Sequence, residues 1–188
     1  FREHSSIHRS IHETNPTRVG NHNLFMDSAH AGHDSVIHNN VVLAKGAALG
    51  GHVTVEDRAI IGGNSAVHQF CRVGRGAMIG GVLGLSRDLM PWFTLSEFNV
   101  AATINSIGMK RAGYSSKDVD VARWVYRLIC RENLTIQQAR DEMNTRVEHP
   151  IIQIYLAFMD KSTRSICTAM GRRIRLEKSH PLGVMPIK

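Results

Sequence analysis

Three cysteines in 188 residues, Cys71, Cys130 and Cys167, are too few and too far apart for a disulfide framework or a thiolate zinc site. A reducing cytoplasm is the simplest expectation. Aromatic residues make up only 6% of the chain, and no nucleic-acid reader motif occurs, so no nucleic-acid partner is expected. No run of about 18 apolar residues and no basic-then-apolar leader is found, which argues against stable membrane insertion and against export. Asn-Gly and Asp-Gly dipeptides are also missing, and with them the tight turns of antiparallel hairpins. The chain opens at Phe1 instead of Met, in sequence that already looks ordered, so the reading leaves room for further coils ahead of it.

What the chain does have is a period of six. Twelve units run without a break from Val19 to Met90, with first positions Val19, Phe25, Ala31, Ile37, Leu43, Leu49, Val55, Ile61, Val67, Val73, Ile79 and Leu85. Ten of these twelve are Val, Ile or Leu, Gly follows in six units, and the fifth position is small in ten. This is the hexapeptide signature of a parallel β-helix. Each unit supplies a short strand and a corner, with the aliphatic residue inside. Three units make a coil, so twelve give about four coils stacked about 4.7 to 4.9 Å apart.

Residues 1–18 read as an outer coil interrupted by a loop at Asn15-Pro16, since Ile7 keeps the register twelve residues before Val19. Met90-Pro91 is expected to end the prism, because proline removes a ladder donor. Beyond about residue 100 the period becomes helical. Ser115 to Asp118 and Thr135 to Gln138 have the capping-box pattern, and Pro150 suits the first turn of a third helix. The organisation expected is a β-helix over residues 1–98 and an α-helical domain over 99–188 that covers the open end of the prism. Net charge is +7, with basic residues at Lys110 and Arg111 and in a tail of Arg172, Arg173, Arg175 and Lys178. Such a surface suits anionic ligands or an acidic carrier protein.

Nine of the eleven histidines precede residue 69. His33, His52 and His68 fall in the third, sixth and ninth units, one coil apart, so all three belong to one face and are expected to climb it at one strand spacing per step. His30 sits around the corner, whereas His22 and His38 read as exposed polar residues. A metal is not expected, because no Cys or Glu joins the histidines at ligand spacing. General-base chemistry fits better, with Asp34 beside His33 to fix its tautomer. Gly50-Gly51-His52 puts a backbone without side chains one coil above His33, where a ligand carbonyl can approach an amide donor. Base and oxyanion donor on one groove suggest acyl transfer to a hydroxyl or amine.

These residues resemble the UDP-N-acetylglucosamine O-acyltransferases of lipid A synthesis. The likeness lies in Ile7-His8-Arg9, Ala29 to Asp34, Gly50 to Val53, Ile60 to Phe70, and Asn105 with Gly108 to Ser115. The resemblance implies a left-handed parallel β-helix followed by a small α-helical C-terminal domain. It implies a homotrimer with active sites between prisms, and transfer of a 3-hydroxyacyl group from acyl carrier protein to the sugar 3-hydroxyl of a UDP-sugar. His33 would then be the general base, Asp34 its partner and the Gly51 N–H the oxyanion donor. His30, His52, His68 and Gln69 would contact substrate, Asn105 and Arg111 would hold the nucleotide phosphates, and Gly81 would leave room for a longer acyl chain. No cofactor is implied, the acyl donor being carried on the phosphopantetheine of the carrier protein. The chain departs from the family at Ala112, where a second arginine is usual, and at Ile107, where an acidic residue is usual. Two other readings stand beside this one: an N-acyltransferase acting on an amino sugar nucleotide, and a non-catalytic β-helix scaffold or ligand-binding relative.

Overall fold

In a computed structural model, which describes residues 1–11 and 15–169, the chain winds into a β-solenoid of thirteen two-residue strands on three faces. Face A stacks Ser6–Ile7, His30–Ala31, Ala48–Leu49, Ala66–Val67 and Gly84–Leu85. Face B stacks Arg18–Val19, Val36–Ile37, Thr54–Val55 and Arg72–Val73, and face C stacks Leu24–Phe25, Val42–Leu43, Ile60–Ile61 and Met78–Ile79. All these pairings are parallel. The first-position residues point inward as the repeat requires: Phe25 to Leu85 are buried throughout, and Val19, on the lowest coil of its face, is partly buried. Each buried Val, Leu or Ile contributes about 1.5 to 3 kcal/mol, which is what holds strands of only two residues together.

The corners explain the rest of the hexad. Ala59 donates to Glu56 and Ala77 to Gly74, with a positive φ of 61° at the third turn residue in each, Arg58 and Gly76. That is a type II turn, which needs a left-handed residue at its third position. A side chain on Gly62 would meet the Gly80 carbonyl carbon at 2.5 Å, so a larger residue at this second position would push the coils apart.

Coil length departs from eighteen residues at both ends. Ser6 pairs with His30, twenty-four residues on, because the chain takes twelve residues instead of six to step from Ile7 on face A to Val19 on face B. The twelve residues from Ile7 to Val19 therefore span one corner instead of two. Higher up, Val73 bridges Leu89, only sixteen residues on. Nor does the prism end at Met90-Pro91. Phe93–Glu97 adds another parallel rung to face C, and Val100–Ile104 turns back antiparallel to it. Pro91 is tolerated because it occupies the corner above Gly74, where the Gly74 Cβ position lies 2.4 Å from its nitrogen.

Four helices follow: α1 (Ser106–Arg111), α2 (Ser116–Cys130), α3 (Ile136–Asn144) and α4 (Pro150–Asp160). Both expected capping boxes form, Ser115 with Asp118 and Thr135 with Gln138, and Pro150 occupies the first turn of α4. Helix α1 and the Val100–Ile104 strand were not expected. Tyr126 of α2 bonds the Ala101 and Ala102 carbonyls, and Tyr155 of α4 packs near Phe93, so the helices cap the end of the prism. Among the described residues no helix is long and apolar enough to cross a membrane. The basic tail from Arg172 to Lys178 lies outside the described residues.

Candidate active site

The corner between faces A and B gathers the imidazoles. His33 Nδ1 lies 2.6 Å from Asp34 Oδ2, with the His33 side chain 36% accessible and that of Asp34 fully enclosed. Burial alone would raise the Asp34 carboxyl. Hydrogen bonds from the Ser10 hydroxyl, from His33 and from the Ile11 N–H, with the charge of His52, outweigh it and lower the pKa to about 2. An ionised carboxylate can only accept, so His33 carries its proton on Nδ1 and presents Nε2 as a lone pair. A Cβ on Gly51 would sit 2.6 Å from His33 Nε2 and Cε1. The ring therefore rests directly on the Gly51 backbone, and only glycine leaves space for it.

The histidines do not form one column. His33 lies two residues past its inward strand residue, His52 three and His68 one, so the register that stacks coils places them at three adjacent corner positions. His33 and His52 still meet edge to face at 5.2 Å. His68 is exposed and bonds the Gln69 carbonyl through Nδ1, with no ring contact to the other two among the described residues. The group above His52 is Phe70, stacked on it at 4.5 Å and 8°. Phe70 is found from the sequence by stepping eighteen residues from Asp34 to His52 to Phe70, all three at positive φ. His30 pairs its Nδ1 with Ser6 Oγ at 2.9 Å and lies 4.5 Å from His8. Burial, then His8, hold its pKa below the usual imidazole value. His22 and His38 are exposed, as expected.

The remaining residues lie elsewhere on this chain. Asn105 caps α1, accepting from the Gly108 N–H at 2.8 Å and donating to the Gly76 carbonyl at 3.0 Å, a structural role the sequence reading missed. Arg111 is exposed in the last turn of α1. Gly81 is exposed on the corner between faces C and A, where an added Cβ would find only the Gly63 backbone, at 3.4 Å. A cavity of about 340 Å³ opens at the third corner, between faces B and C, beside Asn40, Arg58, Arg75 and Trp92, away from the imidazoles.

His33, Asp34 and His52 bring three possible metal-ligand atoms within 4.8 Å of one another. The Asp34 oxygens, however, are already bonded to Ser10, Ile11 and His33, so the donor set reads as a hydrogen-bonded dyad. Cysteine chemistry fits poorly: all three thiols are buried, and burial pushes that of Cys71 up to about 12.

The chain is similar to known proteins along most of its length. The family model described as UDP-N-acetylglucosamine O-acyltransferase, domain 2, matches residues 88–167. The acyl-[acyl-carrier-protein]–UDP-N-acetylglucosamine O-acyltransferase of Akkermansia muciniphila is 46% identical over 172 residues, covering 89% of this chain and 66% of that protein. That of Gloeothece citriformis is 40% identical over 175 residues, covering 92% and 62%. The Francisella novicida UDP-N-acetylglucosamine acyltransferase structure superposes with a TM-score of 0.87 at 30% identity, covering 95% of this chain and 68% of that one. The chain spans about three fifths to two thirds of the length of the curated relatives it matches. Sequence and fold thus coincide along nearly the whole of this chain, and it belongs to the UDP-N-acetylglucosamine O-acyltransferase family.

Proposed function

We propose that the protein transfers a 3-hydroxyacyl group from acyl carrier protein to the 3-hydroxyl of UDP-N-acetylglucosamine. The observation that carries this reading is the His33–Asp34 dyad seated on Gly51, which puts a basic nitrogen beside a backbone that substrate can approach closely. His33 Nε2 takes the proton from the sugar hydroxyl, and the oxygen attacks the thioester carbonyl. The Gly51 N–H meets the negative charge that develops on the carbonyl oxygen. The C–S bond then breaks as the new ester C–O bond stands, and the imidazolium returns its proton to the departing phosphopantetheine thiolate. No cofactor of the protein's own enters this scheme.

His52 and Phe70 form a stacked wall beside the dyad and, with His30, His68 and Gln69, suit contacts to sugar and acyl chain. Asn105 and Arg111 lie apart from them within one chain, which favours a groove completed by a second copy. The outward side of face C supports this, since Leu24, Val42, Ile60 and Met78 form an apolar column, with Leu24 and Met78 exposed. Face A presents small residues, Ala48 and Ala66, against which such a column can pack. Two unlike faces joined head to tail close into a ring, in keeping with a homotrimer in the cytoplasm. In that groove Arg111 would hold nucleotide phosphate, and Gly81 would leave space for a long acyl chain.

The test is incubation of the protein with UDP-N-acetylglucosamine and a set of acyl-loaded carrier proteins, with product masses recorded. A singly O-acylated sugar nucleotide is expected. Acylation of an amino-sugar nucleotide alone, or no acylation at all, would overturn the proposal.

A further inference from the structure

Three residues of the long connection between Ile7 and Arg18 meet at Asp34. The Ser10 hydroxyl donates to Asp34 Oδ1, the Ile11 N–H lies 3.5 Å from Asp34 Oδ2, and Thr17 Oγ1 accepts from the Asp34 N–H at 2.8 Å. Asp34 is thereby held at its backbone and at both carboxylate oxygens.

That grip matters because the carboxylate has a choice. Oδ2 lies 2.6 Å from His33 Nδ1 but also 3.7 Å from His52 Nε2, and a modest rotation would exchange one imidazole for the other. A hydroxyl bonded to Oδ1 fixes the plane of the carboxylate and so selects His33. We propose that Ser10 is a positioning residue: it anchors Asp34 so that the carboxylate orients His33 and not His52. The idea rests on His33 acting as the base, and it extends that reading to a residue outside the corner itself. Ser10 acts through Asp34 and need not touch substrate. A neutral hydroxyl suits the task, because it donates one hydrogen bond without the full charge that a lysine or arginine would place beside the dyad.

Ser10→Ala and Ser10→Thr separate this role from a packing role. In Ser10→Ala, kcat is expected to fall on the order of tenfold with KM within about twofold, as for a misdirected catalytic group. Proton NMR at low temperature supplies a second readout: the Nδ1 proton of His33, identified by its absence in His33→Ala, is expected far downfield in the unaltered protein and displaced or broadened in Ser10→Ala. Ser10→Thr, which keeps the hydroxyl, is expected to restore both. An unchanged His33 resonance and unchanged kcat in Ser10→Ala would overturn the proposal, as would equal losses in the Ala and Thr variants. If no donor and acceptor pair turns over, the acyl-transfer reading fails while the resonance still decides this one: its displacement in Ser10→Ala supports the anchoring role, and its persistence ends it.

Discussion

Two corners of the same solenoid share a backbone and differ in chemistry. Between faces B and C, polar side chains bond up the stack: Asn39 accepts from the Asn21 N–H, Asp57 accepts from the Asn39 N–H and Nδ2, and Arg75 pairs with Asp57 at 3.1 Å. Between faces A and B, the position one coil above His33 is Gly51, and the bonds converge on Asp34, from His33 beside it and from Ser10, Ile11 and Thr17 of the coil below. The first corner spends its side chains on holding coils together. The second leaves a gap at one level, and the gap is what a reactive imbalance of base, carboxylate and open backbone requires. In a repeat fold the site is made by what a column omits as much as by what it carries.

The comparison can be broken most severely at His33. His33→Ala is expected to lower turnover by about 10²- to 10⁴-fold, the range for losing a general base, with the assembly unchanged by size-exclusion chromatography. Filling the gap should come next. Gly51→Ala places a methyl 2.6 Å from the imidazole and displaces it, for an expected loss of about 10²-fold. Gly63→Ala, at the matching position of another corner, meets only the Lys45 carbonyl at 3.3 Å and is expected to retain nearly full activity in the same assay. Asp57→Ala tests the structural corner: it removes the acceptor for Asn39 and the partner of Arg75, so urea unfolding should record a loss of about 1 to 3 kcal/mol with kcat preserved. The smallest effect is in acid. Because the folded-state pKa of Asp34 is depressed to about 2, the stability it contributes is complete above the ordinary carboxylate range and is lost as pH falls toward 2. Asp34→Asn should therefore flatten the dependence of the unfolding midpoint on pH in that window.

The inward residues were legible because a period of six leaves no other way to bury them, and the capping boxes because Ser115 and Thr135 must satisfy helix N–H groups locally. Counting by coils also put His33, His52 and Gly51 at one corner. It failed by single residues: His68 was assigned to the ladder although its offset from the strand carries it out of reach of the other rings, and Phe70 holds the place above His52. Ser10 and Thr17 were illegible for a different reason. Their contacts depend on where an irregular loop returns, and nothing in the hexad pattern encodes that. Asn105 was read for chemistry alone, yet its amide closes the start of α1.

Both departures from regular coil length occur on the imidazole corner. Below it stands the long connection from Ile7 to Arg18, and above it the corner of Ser86, Arg87 and Asp88 is two residues short and is clasped by Asn99 and Arg164. Three rungs lie between this floor and ceiling, and the lowest and highest of them are roughly 10 Å apart at the spacing of stacked strands. The reactive corner is therefore three rungs tall, with one irregular connection below it and one shortened turn above it.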